Sequence, residues 1–186
     1  MRTTLTAAAL PRSLPVQTLM VLGGSLAIAV AAQISVPMIP VPMTLQTLAI
    51  LVVGLTYGAR LGGATLLAYL AEGALGLPVF SNGGAGLAYM AGPTGGFLLG
   101  FALMAWLAGL LAENGLGRGT LRLTLAALVP AAVLYLPGIA WLTVLTPLDL
   151  SGAFTAGAAP FLIGDAVKAV LAAMIVSGGW AALKHR

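Results

Sequence analysis

Six long apolar segments, separated by short polar connections, organise most of the chain. They cover approximately residues 16–36, 44–57, 61–75, 93–112, 121–145 and 157–183. A helix needs about 20 apolar residues to cross a bilayer core of ~30 Å, and the second and third segments are short on that count. The pattern predicts an all-α membrane bundle of six transmembrane helices, in which the two short helices are tilted or buried between longer neighbours.

Composition points to the same class of protein. Of the 186 residues, 60% are hydrophobic and only 6% are charged, against about 25% charged residues in an ordinary soluble domain. No hydrophilic linker interrupts the segments, so we interpret residues 1–186 as a single membrane-embedded domain with short tails at 1–14 and 184–186. The basic residues are scattered and form no patch, which argues against nucleic-acid binding despite a net charge of +4.

The distribution of basic residues predicts the topology. If the chain crosses the bilayer six times, seven of them fall on one side: Arg2, Arg12, Arg60, Arg118, Arg122, Lys184 and Arg186. The connections on the other side, residues 37–43, 76–92 and 146–156, contain no Lys or Arg. Because cytoplasmic loops are enriched in these residues, both termini are predicted to be cytoplasmic.

Prolines and small residues predict details of the packing. Pro130 and Pro137 lie inside the fifth segment and are expected to kink it. Small residues recur at a spacing of four, which allows helix backbones to approach closely. The sets are Gly54/Gly58/Gly62, Gly92/Gly96/Gly100 and Ala27/Ala31.

Two charged residues, Asp165 and Lys168, lie inside the otherwise apolar sixth segment. At a spacing of three they share one face of a helix. A charge at the centre of a membrane helix costs about 2.5–3.5 kcal/mol, so we do not expect them to face lipid. Either they pair with each other as a structural element, or they line a polar cavity that binds a ligand. We favour the cavity, and their place near the outer end of the segment predicts that it opens outward.

A glycine-rich connection, residues 76–96, is called here the glycine loop. Glycines allow a backbone to wrap closely over another group. Asn82 is its only side-chain amide, and Phe80 and Tyr89 are its aromatic residues. The loop falls on the same predicted membrane side as the start of the sixth segment, so we expect a lid over the cavity rather than a plain surface loop.

Other polar residues carry weaker signals. Gln46, inside the second segment, either faces the cavity or bonds a neighbouring helix, and Gln33 is equally ambiguous. Glu72, near the outer interface, is expected to be solvated. The chain contains no P-loop, HExxH or GxSxG motif and no cysteine. We therefore predict no catalytic residue, no metal site and no enzyme activity.

Three stretches together carry a family resemblance. "IPVPMTLQTLAILVVGLTYGARLGG", "YLAEGALGLPVFSNGGAGLAYMAGPTGGFLLGF" and "PFLIGDAVKAV" appear in this order within residues 16–183. They resemble the BioY family, the biotin-binding S components of energy-coupling factor (ECF) transporters. The resemblance implies a six-helix S component in a bacterial or archaeal cell membrane, with an outward-facing vitamin site covered by loops.

The resemblance also implies site residues. In BioY proteins the Asp and Lys of the last helix and the Asn of the glycine-rich loop contact biotin, and these match Asp165, Lys168 and Asn82. Tyr89 and Gln46 match further motif positions. Phe80 and Gly83 complete the set of ligand-binding positions expected from the loop motif.

Partners follow from the resemblance as well. S components dock on a transmembrane coupling protein and two ABC ATPases, which hydrolyse the ATP, so the chain itself needs no cofactor. An alanine-rich stripe on the first helix contacts the coupling protein, and Ala27 and Ala31 match it here. Whether the chain also forms a homo-oligomer stays open.

Biotin has polar groups at both ends, and its chemistry suggests roles for the charged residues. Asp165 can accept hydrogen bonds from the ureido N–H groups, and Lys168 can meet the valerate carboxylate. Phe80, Tyr89 and Met90 can supply apolar and aromatic walls. Two alternatives stay open: an S component for another vitamin, and a proton- or ion-coupled carrier that uses Asp165.

Overall fold

Helices dominate the computed structural model, which describes residues 4–11 and 13–184, the last without its side chain. Three of the residues used for the predicted topology (Arg2, Arg12, Arg186) and the side chain of Lys184 lie outside the described part. In chain order the helices are α1 Leu5–Ala9, α2 Leu14–Gln33, α3 Gln46–Tyr57, α4 Ala59–Ala74, α5 Gly86–Met90, α6 Gly95–Leu111, α7 Thr120–Val133, α8 Tyr135–Leu145, α9 Leu150–Gly157 and α10 Leu162–Lys184.

Short elements fill the connections between the helices. Strands β1 Ser35–Val36 and β2 Met43–Thr44 pair in antiparallel register, with Ser35 opposite Thr44. A 3₁₀ turn covers Ser81–Gly83, and a π-helical turn at Ala112–Leu116 extends α6. The β1–β2 hairpin and the 3₁₀ turn both belong to the end of the bundle that carries the candidate site.

The predicted apolar segments correspond to α2, α3, α4, α6, the pair α7–α8, and α10. Within the described residues, four helical stretches are long and apolar enough to cross a membrane: Leu14–Gln33, Gly95–Leu116, Thr120–Leu145 and Leu162–Leu183. The predicted all-α class is confirmed, and the long apolar helices agree with a membrane protein.

The two short helices are shielded by their neighbours. Helix α3 has 12 residues and packs against α4, α6 and α10, while α4 has 16 residues and packs against α2, α3 and α6. Most side chains of α3 are buried. Of the two expectations for the short segments, tilt or burial, the structure shows burial between longer helices.

The fifth segment is interrupted at Leu134, between α7 and α8. Pro137 has no N–H to donate to the carbonyl of Val133, and its ring crowds that carbonyl. Pro130 is accommodated inside α7. The helical hydrogen-bond pattern therefore breaks between the two prolines, and a kink of the fifth segment stays a prediction.

Small residues bring α3 and α4 into close contact with α6. A Cβ placed on Gly54 would lie 2.6 Å from the carbonyl oxygen of Ala105, and one on Gly62 would lie 3.3 Å from the same oxygen. Gly58 acts differently, since its φ of +86° forms the sharp turn between α3 and α4. The spacing of four thus marks helix contacts at Gly54 and Gly62 and a turn at Gly58.

Part of the predicted N-terminal tail, helix α1, packs against the bundle. Helix α1 packs against α3 and α10. The Thr6 hydroxyl donates to the carbonyl of Thr56 at 2.8 Å, and Leu5 lies against Gly179. A five-residue helix is too short to produce a hydropathy signal, so the sequence pattern did not reveal this contact.

Candidate ligand-binding site

A cavity of about 540 Å³, counted up to its open mouth, lies among the hairpin, the glycine loop and helices α3, α6, α8 and α10. The aromatic part of the wall is formed by Tyr89, Phe97, Phe101, Tyr135 and Phe161. The polar part is formed by Thr44, Gln46, Thr47, Ser81, Thr94, Asp165 and Lys168.

Asp165 and Lys168 lie together on this wall, on the first turns of α10. The Lys168 Nζ is 3.0 Å from the Asp165 Oδ1, and the two residues are only 7% and 5% exposed, respectively. Their spacing of three places them on one face of the helix, as predicted. The structure thus combines the two alternatives, because the residues pair with each other and also line the cavity.

Two further residues donate hydrogen bonds to the Asp165 carboxylate. The Thr47 hydroxyl of α3 donates to Oδ1 at 2.9 Å, and the Tyr135 hydroxyl of α8 donates to Oδ2 at 2.6 Å. A carboxylate has about four acceptor positions, so three donors leave one position, on Oδ2, for a ligand. Neither Thr47 nor Tyr135 was predictable as a site residue, since hydroxyl residues are common in membrane helices.

Gln46 faces the cavity and also bonds a neighbouring helix, so both of its predicted roles are present. It lines the cavity, its Nε2 donates to the Tyr69 hydroxyl at 2.7 Å, and its Oε1 accepts from the Thr44 hydroxyl at 3.0 Å. Tyr69 in turn donates to the carbonyl of Val79 at the start of the glycine loop. This chain of hydrogen bonds connects α3, α4 and the loop and fixes the orientation of the amide.

The glycine loop forms one wall of the cavity through Ser81, Tyr89 and Thr94. The Tyr89 ring stacks on Phe80 with a centroid distance of 5.2 Å, and Phe80 meets the edge of Tyr69 at 5.5 Å. Burial raises the pKa of the Tyr89 hydroxyl above its usual value, which keeps it neutral. The loop is therefore a packed wall of the cavity that α10 also lines, and its role as a lid stays a prediction.

Three of the expected loop residues lie outside the cavity lining. Phe80 is fully buried beneath the loop as packing for Tyr89. Asn82 is exposed with a φ of +55°, and its Oδ1 accepts from the Ser35 hydroxyl at 2.9 Å. The N–H of Gly83 donates to the Gln33 side chain at 2.9 Å. The positive φ of Asn82 turns its side chain towards the hairpin, and ligand contact by these residues stays a prediction.

Gln33 joins α2 to the glycine loop. Its Nε2 donates to the carbonyl of Phe80 at 3.0 Å, while its Oε1 accepts the hydrogen bond from Gly83. The loop is thereby held on both sides of Ser81. The role of Gln33, left open by the sequence, is therefore to hold the loop backbone that forms the cavity wall.

Three other predicted positions, Glu72, Ala27 and Ala31, are not part of the cavity lining. Glu72, expected to be solvated, accepts a hydrogen bond from the buried Ser25 hydroxyl of α2. A helical side chain leans towards the N-terminus of its helix, which carries this carboxylate back into the bundle. Ala27 is exposed and Ala31 is half-buried on α2, next to the exposed apolar side chains of Leu26 and Val30. Among the described residues, no cluster of His, Asp or Glu could hold a metal ion.

The architecture matches that of a known class of transport subunit. The crystal structure of the S component for biotin from an ECF-type ABC transporter superposes with a TM-score of 0.76. The match covers 95% of this chain and 96% of that chain, at 24% sequence identity. The chain therefore has the fold of an ECF S component.

Sequence comparison then gives the family. The BioY family model matches residues 3–185. A BioY relative from Pyrococcus horikoshii is 41% identical over 78% of this chain and 85% of its own length. The biotin transporter BioY of Rhizobium etli is 40% identical over 76% and 79% of the two chains, and BioY2 of Lactococcus lactis is 36% identical over 90% and 91%. The chain belongs to the BioY family.

Proposed function

We propose that this chain is a biotin-binding S component, which captures biotin from outside the cell and delivers it inward when docked on an ATP-driven module. It acts in transport and not as an enzyme. The observation that carries the proposal is the buried Asp165–Lys168 pair on the wall of an aromatic cavity, in a member of the BioY family. Intramembrane charges of this kind usually mark a substrate path.

The geometry of the pair suggests which end of biotin it holds. Because Nζ and Oδ1 are 3.0 Å apart, the two residues present their polar atoms at one place on the wall. We therefore propose that both hold the same end of the ligand, in place of the expected contacts at two different ends. The ureido ring presents an N–H donor beside a carbonyl acceptor. Asp165 has one acceptor position left and Lys168 has further donors, so the pair matches one edge of that ring.

The aromatic wall supplies the apolar part of the site. The thiophane ring and alkyl chain of biotin need contacts that remove them from water. Phe97, Phe101, Phe161 and the ring of Tyr89 all line the cavity. Each buried aromatic ring contributes substantial apolar contact area, which complements a ligand that is polar at its ends and apolar between them.

The topology belongs to the same proposal. Six crossings with cytoplasmic termini place the β1–β2 hairpin, the glycine loop and the start of α10 on the outer side, where the cavity opens. Arg60, Arg118 and Arg122 then lie in cytoplasmic connections, which supports the assignment. Residues 1–186 form a single domain in the bacterial or archaeal cell membrane.

The docking partners are a transmembrane coupling protein and ABC ATPases. The exposed apolar face of α2 around Ala27, with Leu22, Leu26 and Val30, supports a contact between α2 and another membrane helix. Ala27 and Ala31 are the positions through which we propose that the coupling protein approaches.

Calorimetric titration of the purified protein in detergent tests the function. We expect saturable, selective binding of biotin by the chain alone, with riboflavin and thiamine producing no binding heat. Binding of one of these vitamins in place of biotin would change the substrate. A folded sample that binds none of the three would contradict the proposal of autonomous capture.

A further inference from the structure

The hydroxyl of Ser81 stands out among the polar groups of the cavity. Within the described part of the chain, its Oγ is the one buried side-chain polar atom that has no hydrogen-bond partner. Ser81 is 5% exposed and lines the cavity. A buried hydroxyl without a partner costs about 1–3 kcal/mol, so such an atom requires an explanation.

The position of Ser81 is fixed by contacts on both sides. The N–H of Phe80 donates to the carbonyl of Gly84 at 3.0 Å, and the N–H of Gly84 donates to the carbonyl of Ser81 at 3.1 Å. Gln33 binds the carbonyl of Phe80 and the N–H of Gly83, one residue before and two residues after it. The hydroxyl is thus held on the cavity wall by backbone that is already hydrogen-bonded, which reduces the entropy lost when it binds a ligand.

Two parts of the polar wall of the cavity differ in their hydrogen bonding. One group comes from the helices, where Thr47, Tyr135 and Lys168 all contact the Asp165 carboxylate. The other group comes from the glycine loop, where Ser81 contributes a hydroxyl that donates to no acceptor within the described residues. A ligand whose first polar end meets the helix group presents its second polar end to the loop.

From this arrangement we infer that Ser81 is a specificity-determining residue, and that its hydroxyl donates a hydrogen bond to the carboxylate of the bound ligand. The inference rests on the proposed function, because it uses biotin held at its ureido ring by Asp165 and Lys168. A hydroxyl that bonds an anion forms a charge-assisted contact, which is stronger than a neutral one. The contact also joins the glycine loop to α10 through the ligand.

Calorimetry with two ligands tests this assignment. Biotin and biotin methyl ester share the ureido ring, but only biotin carries a carboxylate charge. Ser81→Ala is expected to weaken binding of biotin by about tenfold and binding of the ester by less than about threefold. Ser177→Ala, which removes a serine hydroxyl that accepts from Thr120 away from the cavity, is expected to change neither affinity.

A second readout separates ligand contact from a structural role. Because Ser81→Ala removes an unpaired buried hydroxyl, its thermal unfolding temperature without ligand should equal or exceed that of the wild type. Equal losses for biotin and its ester would assign Ser81 to the ring end, and no loss for either would make it a passive part of the wall. Either result overturns the inference about Ser81. The proposed function still stands in both cases, as long as the wild-type protein binds biotin. A wild type that binds neither ligand would overturn both.

Discussion

The carboxylate of Asp165 is surrounded by donors from three different helices. Lys168 on α10, Thr47 on α3 and Tyr135 on α8 all lie within 3.0 Å of one of its oxygens. A buried charge of this kind is tolerated when it is paired and hydrogen-bonded, and the removal of one partner is costly. The cluster therefore has two roles, since it connects three helices and also presents polar atoms to the cavity.

The two roles can be separated by mutation. Lys168→Met leaves Asp165 without its cation, so we expect it to destabilise the fold by about 3 kcal/mol and to abolish biotin binding. The double variant Asp165→Asn/Lys168→Met removes both charges, and we expect it to recover most of the stability but none of the binding. Thermal unfolding in detergent and calorimetry measure the two effects. A Lys168→Met protein as stable as the wild type would contradict the structural role.

The charged residues of the site were predictable from the sequence, whereas its hydroxyl residues were not. Asp165 and Lys168 were recognisable because a charge inside an apolar segment is expensive and therefore rare. Thr47, Ser81 and Tyr135 gave no such signal, because they carry no charge and neutral hydroxyl residues are common in apolar segments. Their importance arises from the approach of α3, α8 and the glycine loop to α10, which one sequence does not reveal.

At the scale of elements, Gln33 is the side chain that joins α2 to the glycine loop. Its two hydrogen bonds to Phe80 and Gly83 hold the backbone that carries Ser81. Since Ala27 and Ala31 lie on the same helix, any displacement of α2 by a partner would act on these bonds. The end of α2 is thus a direct mechanical connection between the proposed docking helix and the cavity wall.

Replacement of Gln33 should loosen the glycine loop. Two neutral hydrogen bonds contribute about 0.5–1.5 kcal/mol each, so for Gln33→Leu we expect amide hydrogen exchange at residues 81–84 to accelerate by at least about fivefold. Asn114→Leu, which removes an amide that donates to the carbonyl of Leu110, serves as the control. Unchanged exchange in Gln33→Leu would show that the aromatic packing beneath the loop holds it without the glutamine.

Close packing of α3 on α6 gives a second prediction for the elements. A Cβ on Gly54 would lie 2.6 Å from the Ala105 carbonyl oxygen, whereas one on Gly23 would have no neighbour within 4 Å. We expect Gly54→Ala to destabilise the protein by about 1–3 kcal/mol and Gly23→Ala to have little effect or a small stabilising one. Equal unfolding temperatures for the two variants in detergent would contradict the close approach.

Hydropathy predicted where the helices lie along the chain, but it did not predict which helices contact each other. The six apolar segments and the interruption near Pro137 were predictable because apolar length and the missing proline N–H act locally. The contact of α1 with α3 and α10 and the hydrogen bond from Ser25 to Glu72 were not, since both depend on how distant segments pack. The spacing of four was also ambiguous, marking a contact at Gly54 and a turn at Gly58.

At the scale of the whole molecule, the proposed topology is directly testable because the chain has no cysteine. Ile39 is 97% exposed in the β1–β2 hairpin, and Asn114 is exposed in the turn after α6. In intact cells, a membrane-impermeant maleimide should label Ile39→Cys, and it should label Asn114→Cys only after permeabilisation. The reverse pattern would place the termini outside, and labelling of both in intact cells would contradict an odd number of crossings between them.

The assignment of biotin's ureido ring to the Asp165–Lys168 pair is the central claim about the site. A crystal structure of this chain with biotin tests it most directly. We expect the ureido carbonyl to accept a hydrogen bond from the Lys168 Nζ, and a ureido N–H to donate to the Asp165 Oδ2, each at about 3 Å. A carboxylate at Lys168, with the ureido ring elsewhere in the cavity or outside it, would contradict the account.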